Sequence, residues 1–234
     1  MAATEAETIT AIRPSGRDPL RCTVMVGRRA AAKLSRDAVE RLGLEVGGPW
    51  DPATESRLQT AQAEELAMRY AMRLLRRRPL GSGELLDRLR RKGHQGAAQE
   101  VVRSLTERGL LDDEKYGRLV AQAELARKPT GRRLLAHKLY RKRLPREVIG
   151  RVVEQAVGQT DPVADARSLA QQKLRGATLS RCDPQTRRRR LSGMLARRGF
   201  DYETIELALA GLAELRGADR TGRSITAEGE TSRD

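Results

Sequence analysis

Hydrophobic residues recur every three or four positions along most of the chain, a spacing typical of amphipathic α-helices. The first such stripe covers Ala63–Leu75 and ends shortly before Pro79, which cannot continue a helix. Ser82 is a suitable N-cap for a second helix, which ends at Gly93, and a third helix ends at Gly109. The pattern therefore predicts a unit of three consecutive helices.

The three-helix pattern recurs twice more, with a period of about 50 residues. Thr130 is a suitable N-cap for the middle helix of the second unit, and Pro145 suits the first turn of its last helix. In the third unit, Asp161 and Asp183 each precede a proline, which is typical of a helix start. The three middle helices share one apolar and basic pattern: LLDRLRRKG (85–93), LAHKLYRKR (135–143) and LSGMLARRG (191–199). This repetition predicts a mainly α protein whose three-helix repeats form an elongated array.

The first 50 residues have a different pattern, in which hydrophobic and polar positions alternate as they do in strands. The predicted elements are strands at Ile9–Arg13, Arg21–Val26 and Ala30–Leu34, a loop at Pro14–Pro19, and a short helix capped by Ser35 and ending at Gly43. The predicted order along the chain is a disordered tail (1–8), a small β-rich module (9–50), helical repeats (58–109, 110–158 and 161–216) and a second disordered tail (217–234).

Positive charge dominates the composition, with 46 Lys and Arg residues against 31 Asp and Glu, and a net charge of +15. Such a charge attracts polyanions, of which nucleic acid is the commonest in a cell. Nine basic residues fall in each of three segments centred on the middle helices, 69–92, 125–146 and 173–198, with two, no and one acidic residue respectively. Two interpretations stay open: the clusters bind phosphates, or they are the solvated faces of Arg-rich helices.

Base recognition has little support in the sequence, because the cations repeat over three units instead of gathering on one recognition helix. Tyr140 is the exception among the few aromatic residues, since it lies inside a basic segment. A place in the core is the favoured interpretation of this tyrosine, and stacking on a single-stranded base is the alternative.

Sequence motifs for catalysis or metal binding are missing: there is no phosphate-binding glycine loop, HExxH, CxxC or GxSxG segment. His94 and His137 stand alone, and the acidic run after Gly109 is interpreted as a helix cap. We therefore expect no enzyme activity, cofactor or metal.

The cysteines, the lack of long apolar runs and the N-terminal sequence all indicate a cytoplasmic protein. Cys22 and Cys182 fit no disulfide framework, and no apolar run approaches the roughly 20 residues that a membrane helix needs. The N-terminus, with Glu5 and Glu7, lacks the basic and apolar regions of a signal peptide.

Several segments together resemble the RecX family of regulators of the bacterial recombinase RecA. They are Ala71–Leu75, Arg78-Pro79, Glu84–Leu89, Arg91–Gly93, Gly109–Tyr116 and Arg190–Tyr202, and the Ile9–Trp50 module looks like an extension that some members carry. Two positions depart from the family pattern. His94 stands where an aromatic or aliphatic residue is common, and Arg143 replaces the usual glycine before Leu144.

The resemblance implies a regulator that is not an enzyme, lodges in the groove of RecA filaments on single-stranded DNA, and lowers ATP hydrolysis and strand exchange. We expect a monomer, whose candidate contacts to phosphates and to RecA are Arg90, Arg91, Lys92, Arg132, Arg133, Arg141, Lys142, Arg188, Arg189, Arg197 and Arg198. One alternative is a general DNA-binding transcription or chromosome-associated factor without a recombinase partner. Another is a helical scaffold for acidic proteins.

Overall fold

The computed structural model describes residues 7–16, 18–176, 179 and 182–221. The helices and strands, in chain order, are β1 (Ile9–Ser15), β2 (Asp18–Val26), β3 (Arg29–Ser35), α1 (Arg36–Arg41), α2 (Pro52–Leu75), α3 (Ser82–Arg91), α4 (Gln95–Glu107), α5 (Asp113–Arg127), α6 (Arg132–Arg141), α7 (Arg146–Val157), α8 (Pro162–Leu174), α9 (Pro184–Arg197) and α10 (Tyr202–Thr221). The mainly helical fold with a small N-terminal sheet is confirmed. The described chain divides into two compact units, Met1–Asp112 and Asp113–Asp234.

The three strands form one antiparallel sheet in the order β1-β2-β3. Strand alternation turns Cys22, Val24 and Leu34 to one face, where they pack with α1 and with Leu58 and Ala61 of α2. The first half of α2, which follows the module at 9–50 in the chain, therefore completes the hydrophobic core of that module.

Helix α2 serves two hydrophobic cores. Leu58 and Ala61 belong to the core of the sheet, whereas Ala67 and Ala71 belong to the core of the first repeat. Glu65 lies between these halves, where its carboxylate accepts a hydrogen bond of 2.7 Å from the backbone N–H of Ser35. The sheet and the first repeat are thus joined through a continuous helix.

The three similar segments all fold as the middle helix of a repeat. Each buries a pair of leucines spaced four residues apart, and the pairs are Leu85 and Leu89, Leu135 and Leu139, and Leu191 and Leu195. The spacing places both leucines of a pair on one face, so the opposite face is left to solvent.

The residue after the C-cap of each middle helix has a left-handed backbone: Gly93 (φ 94°), Arg143 (φ 60°) and Gly199 (φ 85°). Left-handed backbone favours glycine because a Cβ atom is crowded there. The departure noted at Arg143 therefore keeps the turn geometry of the other two repeats.

Two predicted helix caps are wrong. The N-cap residues of α3 and α6 are Gly81 and Gly131, and neither helix has a side-chain cap. The hydroxyl of Thr130 donates instead to the Lys128 carbonyl oxygen at 2.9 Å. The predicted caps Ser35, Asp161 and Asp183 are confirmed, since each accepts from a backbone N–H of the first turn.

The predicted loop at Pro14–Pro19 is also wrong, because β1 reaches Ser15 and β2 begins at Asp18. Pro14 of β1 pairs with Cys22 of β2, and β1 is an edge strand, where a missing N–H is tolerated.

The ends of the described chain enter both predicted tails. Thr8 bridges to Pro49, and α10 continues to Thr221, past the predicted tail start at residue 217. The rest of the tails, 1–6 and 222–234, lies outside the described residues.

Candidate nucleic-acid interface

Basic residues concentrate in the last turn of the middle helices α3 and α6 and at the end of α9. Cations at this place complement the partial negative charge of the helix C-terminus. The basic residues at these helix ends therefore have a structural explanation that requires no ligand. Evidence for an interface has to come from cations that no carboxylate neutralises.

The end of α3 carries three exposed cations, Arg90, Arg91 and Lys92. Nε of Arg91 donates to the Asp87 carbonyl oxygen at 3.3 Å, and none of the three forms an ion pair with a described carboxylate. Their charge is therefore available to an external anion.

Glu84, the acidic residue in the first turn of α3, is engaged by other arginines. Arg78 and Arg88 lie 2.5 and 2.9 Å from its carboxylate. Burial raises the pKa of Glu84, but the hydrogen bonds and charges of these arginines outweigh burial and lower it overall. Glu84 therefore stays ionised and bound to these two arginines.

On α6, Arg133, Arg141 and Lys142 are exposed and form no ion pair with a described residue. Arg132 differs, because its guanidinium lies 2.9 Å from the Glu154 carboxylate of α7. This pair is largely exposed to solvent and holds its two side chains weakly.

On α9, Arg189 and Arg197 are exposed and form no ion pair with a described residue. Arg188 is paired with Glu206 of α10. One charge of the Arg187–Arg190 run is therefore already balanced within the third repeat.

Arg198 makes contacts within the protein. Its guanidinium donates to the Pro129 carbonyl oxygen and to the Thr130 hydroxyl, the latter at 3.3 Å. Its Nε is buried and has no hydrogen-bond partner among the described residues. Arg198 thus fastens the end of α9 to the loop before α6.

Backbone groups continue this junction between the second and third repeats. The carbonyl oxygen of Arg198 accepts from Gly131 N at 2.9 Å, and that of Gly199 accepts from Arg133 N at 3.1 Å. The C-terminal end of α9 therefore satisfies N-terminal amides of α6, which have no partner within their own helix.

Glycine permits this approach on both sides. A Cβ on Gly131 would lie 2.3 Å from the carbonyl carbon of Gly199, and a Cβ on Gly199 would lie 2.2 Å from Leu134 N. Both distances are too short for any other residue without a shift of backbone.

The junction brings part of the second basic cluster beside the third. Arg132 and Arg133 lie at the start of α6, against the end of α9 that carries Arg197 and Arg198. Arg141 and Lys142 lie at the other end of α6, about 13 Å away along the helix axis. The cations of the second cluster are therefore divided between the two ends of one helix.

The exposed cations that sequence reasoning did not select include Arg76 and Arg77, directly after α2. They belong to the basic segment 69–92, so the charge count contained the signal. The favoured core position of Tyr140 is wrong, because 53% of this residue is exposed.

The isolated histidines show no catalytic arrangement. The His94 ring lies 5.8 Å from the Tyr70 ring, and His137 is on the exposed face of α6. In the part of the chain that the structure describes, no three His, Cys, Asp or Glu residues are placed to hold a metal ion. No helix among the described residues is long and apolar enough to span a bilayer.

The fold and the exposed cations define a tandem three-helix-repeat protein with basic middle helices. A family model for the third three-helix domain of RecX matches residues 159–209. The chain is 33% identical to the regulatory protein RecX of Pelodictyon phaeoclathratiforme over 154 residues, 65% of this chain and 92% of that protein. It is also 33% identical to RecX of Mycolicibacterium smegmatis, over 65% of this chain and 85% of that protein.

A crystal structure of regulatory protein RecX has the same fold, with a TM-score of 0.72 and 16% identity over 87% of this chain and 99% of that one. The chain belongs to the RecX family of regulatory proteins.

Proposed function

We propose that this protein binds RecA filaments on single-stranded DNA and inhibits their ATP hydrolysis and strand exchange, without catalysing a reaction itself. The observation that carries the proposal is a set of exposed cations on all three middle helices that pair with no described carboxylate. They are Arg90, Arg91, Lys92, Arg133, Arg141, Lys142, Arg189 and Arg197. Membership of the RecX family supports RecA as the partner.

Exposed cations at the ends of the middle helices of successive repeats suit a phosphate backbone better than a sequence-specific site. Each phosphate contact releases condensed counterions. On a single strand, each contact therefore lowers the affinity by about 0.7 logarithmic units for every tenfold increase in salt concentration. The arrangement also suits the acidic surface of a protein filament, because charge complementarity needs no base recognition.

The proposed surface leaves out Arg198, whose guanidinium is engaged between the second and third repeats. Arg132 and Arg188 have secondary roles in it, since each must give up an ion pair with Glu154 or Glu206 before it contacts a phosphate. We infer that the protein acts in the cytoplasm and as a monomer.

The experiment that tests the proposal is a titration of this protein into cognate RecA hydrolysing ATP on single-stranded DNA. Inhibition at or below one molecule per recombinase protomer is the expected result. Unchanged hydrolysis at concentrations that still bind DNA would contradict it, and tight binding to naked duplex in that case would indicate a general DNA-binding factor.

A further inference from the structure

The solvent face of α6 carries an aromatic ring among cations. Tyr140 is 53% exposed, although the adjacent Leu139 is fully buried. The phenol forms no hydrogen bond with a described residue, so no internal contact explains why a tyrosine stands there. A half-exposed ring without a partner is available to stack on a ligand.

Helical spacing places Arg133 and His137 on the same face as this ring, and Arg141 directly follows it in the chain. Arg133, His137 and Arg141 are exposed and lie four residues apart, and His137 precedes Tyr140 by three positions. The two arginines are about 12 Å apart along the axis; Arg133 precedes both rings, whereas Arg141 lies about 1.5 Å beyond Tyr140 and about 100° around the helix. This face thus combines charge for phosphates with flat surface for bases.

Helix α6 carries no carboxylate of its own. Two acids of neighbouring helices contact its first turn: Glu154 pairs with Arg132, and Asp201, whose pKa is lowered mainly by hydrogen bonds with Thr204, also interacts with Arg133. The segment 125–146 contains no acidic residue, and the nearby carboxylate of Glu124 is held by Lys138. The hydrogen bond from Lys138 lowers the pKa of Glu124, so this acid stays ionised within its own pair. Nothing on α6 itself repels a polyanion.

The equivalent position in the other repeats has no ring, since Arg90 stands there in α3 and Ala196 in α9. The repeat pattern therefore does not require a tyrosine at this place. The fold is kept with an arginine or an alanine, which leaves ligand contact as the property that is particular to Tyr140.

We propose that Tyr140 stacks on an unpaired base of single-stranded DNA while Arg133 and Arg141 hold the flanking phosphates, so that α6 distinguishes single-stranded from double-stranded DNA. This inference rests on the proposed function, in which the same helix binds the DNA of the filament. A base in a duplex offers its face only to its neighbours in the stack, so the ring has no access to it. Stacking on an aromatic side chain contributes about 1–3 kcal/mol per base and tolerates any sequence.

The test measures the affinity of the full chain for a single-stranded oligonucleotide and for the matching duplex over a range of salt. Tyr140→Ala should weaken single-strand binding roughly ten-fold, with an unchanged salt slope because no phosphate contact is lost. Tyr140→Phe should keep wild-type affinity, which also shows that the position tolerates substitution. Duplex affinity should not change in either variant.

Tyr202→Ala is the matched control, because Tyr202 is 76% exposed but lies between Asp201 and Glu203. This variant should bind like wild type. Equal affinity of Tyr140→Ala and wild type for single strands, or an equal loss on duplex, would overturn the inference. A loss confined to recombinase filaments would overturn it too, since Tyr140 would then be a protein contact.

Failure of the broader proposal has a different signature. ATP hydrolysis by cognate RecA would then be unchanged at concentrations of this protein that still bind DNA, whatever the result at Tyr140.

Discussion

The ends of α3 and α9 have the same place in their repeats and the same backbone, yet their cations make different contacts. Lys92 and Arg198 are both C-cap residues, and each precedes a glycine with positive φ. Lys92 is exposed and has no ion pair with a described residue, whereas Arg198 donates to Pro129 and Thr130. A repeated sequence therefore determines the turn, and the packing of each repeat determines what its cation does.

Substitution of the glycines that follow these two residues should give the largest difference in the free energy of unfolding. Gly93→Ala places a Cβ in open space and should cost only the left-handed backbone, about 1–2 kcal/mol. Gly199→Ala also drives a Cβ against Leu134 N and separates α9 from α6, so the free energy of unfolding should fall by more than about 3 kcal/mol. Urea denaturation of both variants measures the difference, and equal losses would show that the close approach contributes nothing.

The cations themselves should separate stability from binding. Arg198→Met removes two hydrogen bonds from the junction, and its free energy of unfolding should fall by about 1–3 kcal/mol. Lys92→Met should leave stability within about 0.5 kcal/mol but lower the salt slope of single-strand binding by about 0.7. The opposite pattern, a stable Arg198 variant with weak DNA binding, would assign Arg198 to the interface.

A change of pH should have a smaller effect on stability. The arginines near α3 bind a carboxylate, that of Glu84, which can be protonated, whereas Arg198 at the end of α9 binds no carboxylate. The arginines at Glu84 hold its pKa below the ordinary value of 4.5, so their contribution to stability is present above that pH and is lost as the pH falls through the lower, folded pKa. Wild type should therefore lose more stability than Glu84→Gln between about pH 5 and pH 3.

The contact of Arg198 to a carbonyl and a hydroxyl has no titrating acceptor. The difference in stability between wild type and Arg198→Met should accordingly stay constant over the same pH range. A difference that shrinks in acid would contradict a neutral clamp.

The helices were predictable because their leucines repeat with helical spacing and because Asp161 and Asp183 cap them locally. The N-caps of α3 and α6 were not, since glycine occupies both and the amides of α6 find acceptors in another repeat. A contact between residues 131 and 199 leaves no trace in the local pattern of either segment.

The candidate site was predictable as clusters but not as single residues. Charge counts located the basic helices, whereas the internal contact of Arg198 and the exposure of Tyr140 depend on tertiary packing. The strand at Pro14 was missed because a proline breaks the pattern of an inner strand but is acceptable at a sheet edge.

We propose that cations on the middle helices that pair with no described carboxylate, and not basic charge in general, account for binding to RecA filaments. The most direct test compares inhibition of cognate RecA ATP hydrolysis by two triple variants of equal charge. One is Arg91→Gln, Lys142→Gln and Arg197→Gln; the control is Arg103→Gln, Arg118→Gln and Arg151→Gln, whose arginines are already ion-paired. The first should need roughly ten-fold more protein for half-inhibition, and the control should resemble wild type. Equal weakening of both variants would contradict the account.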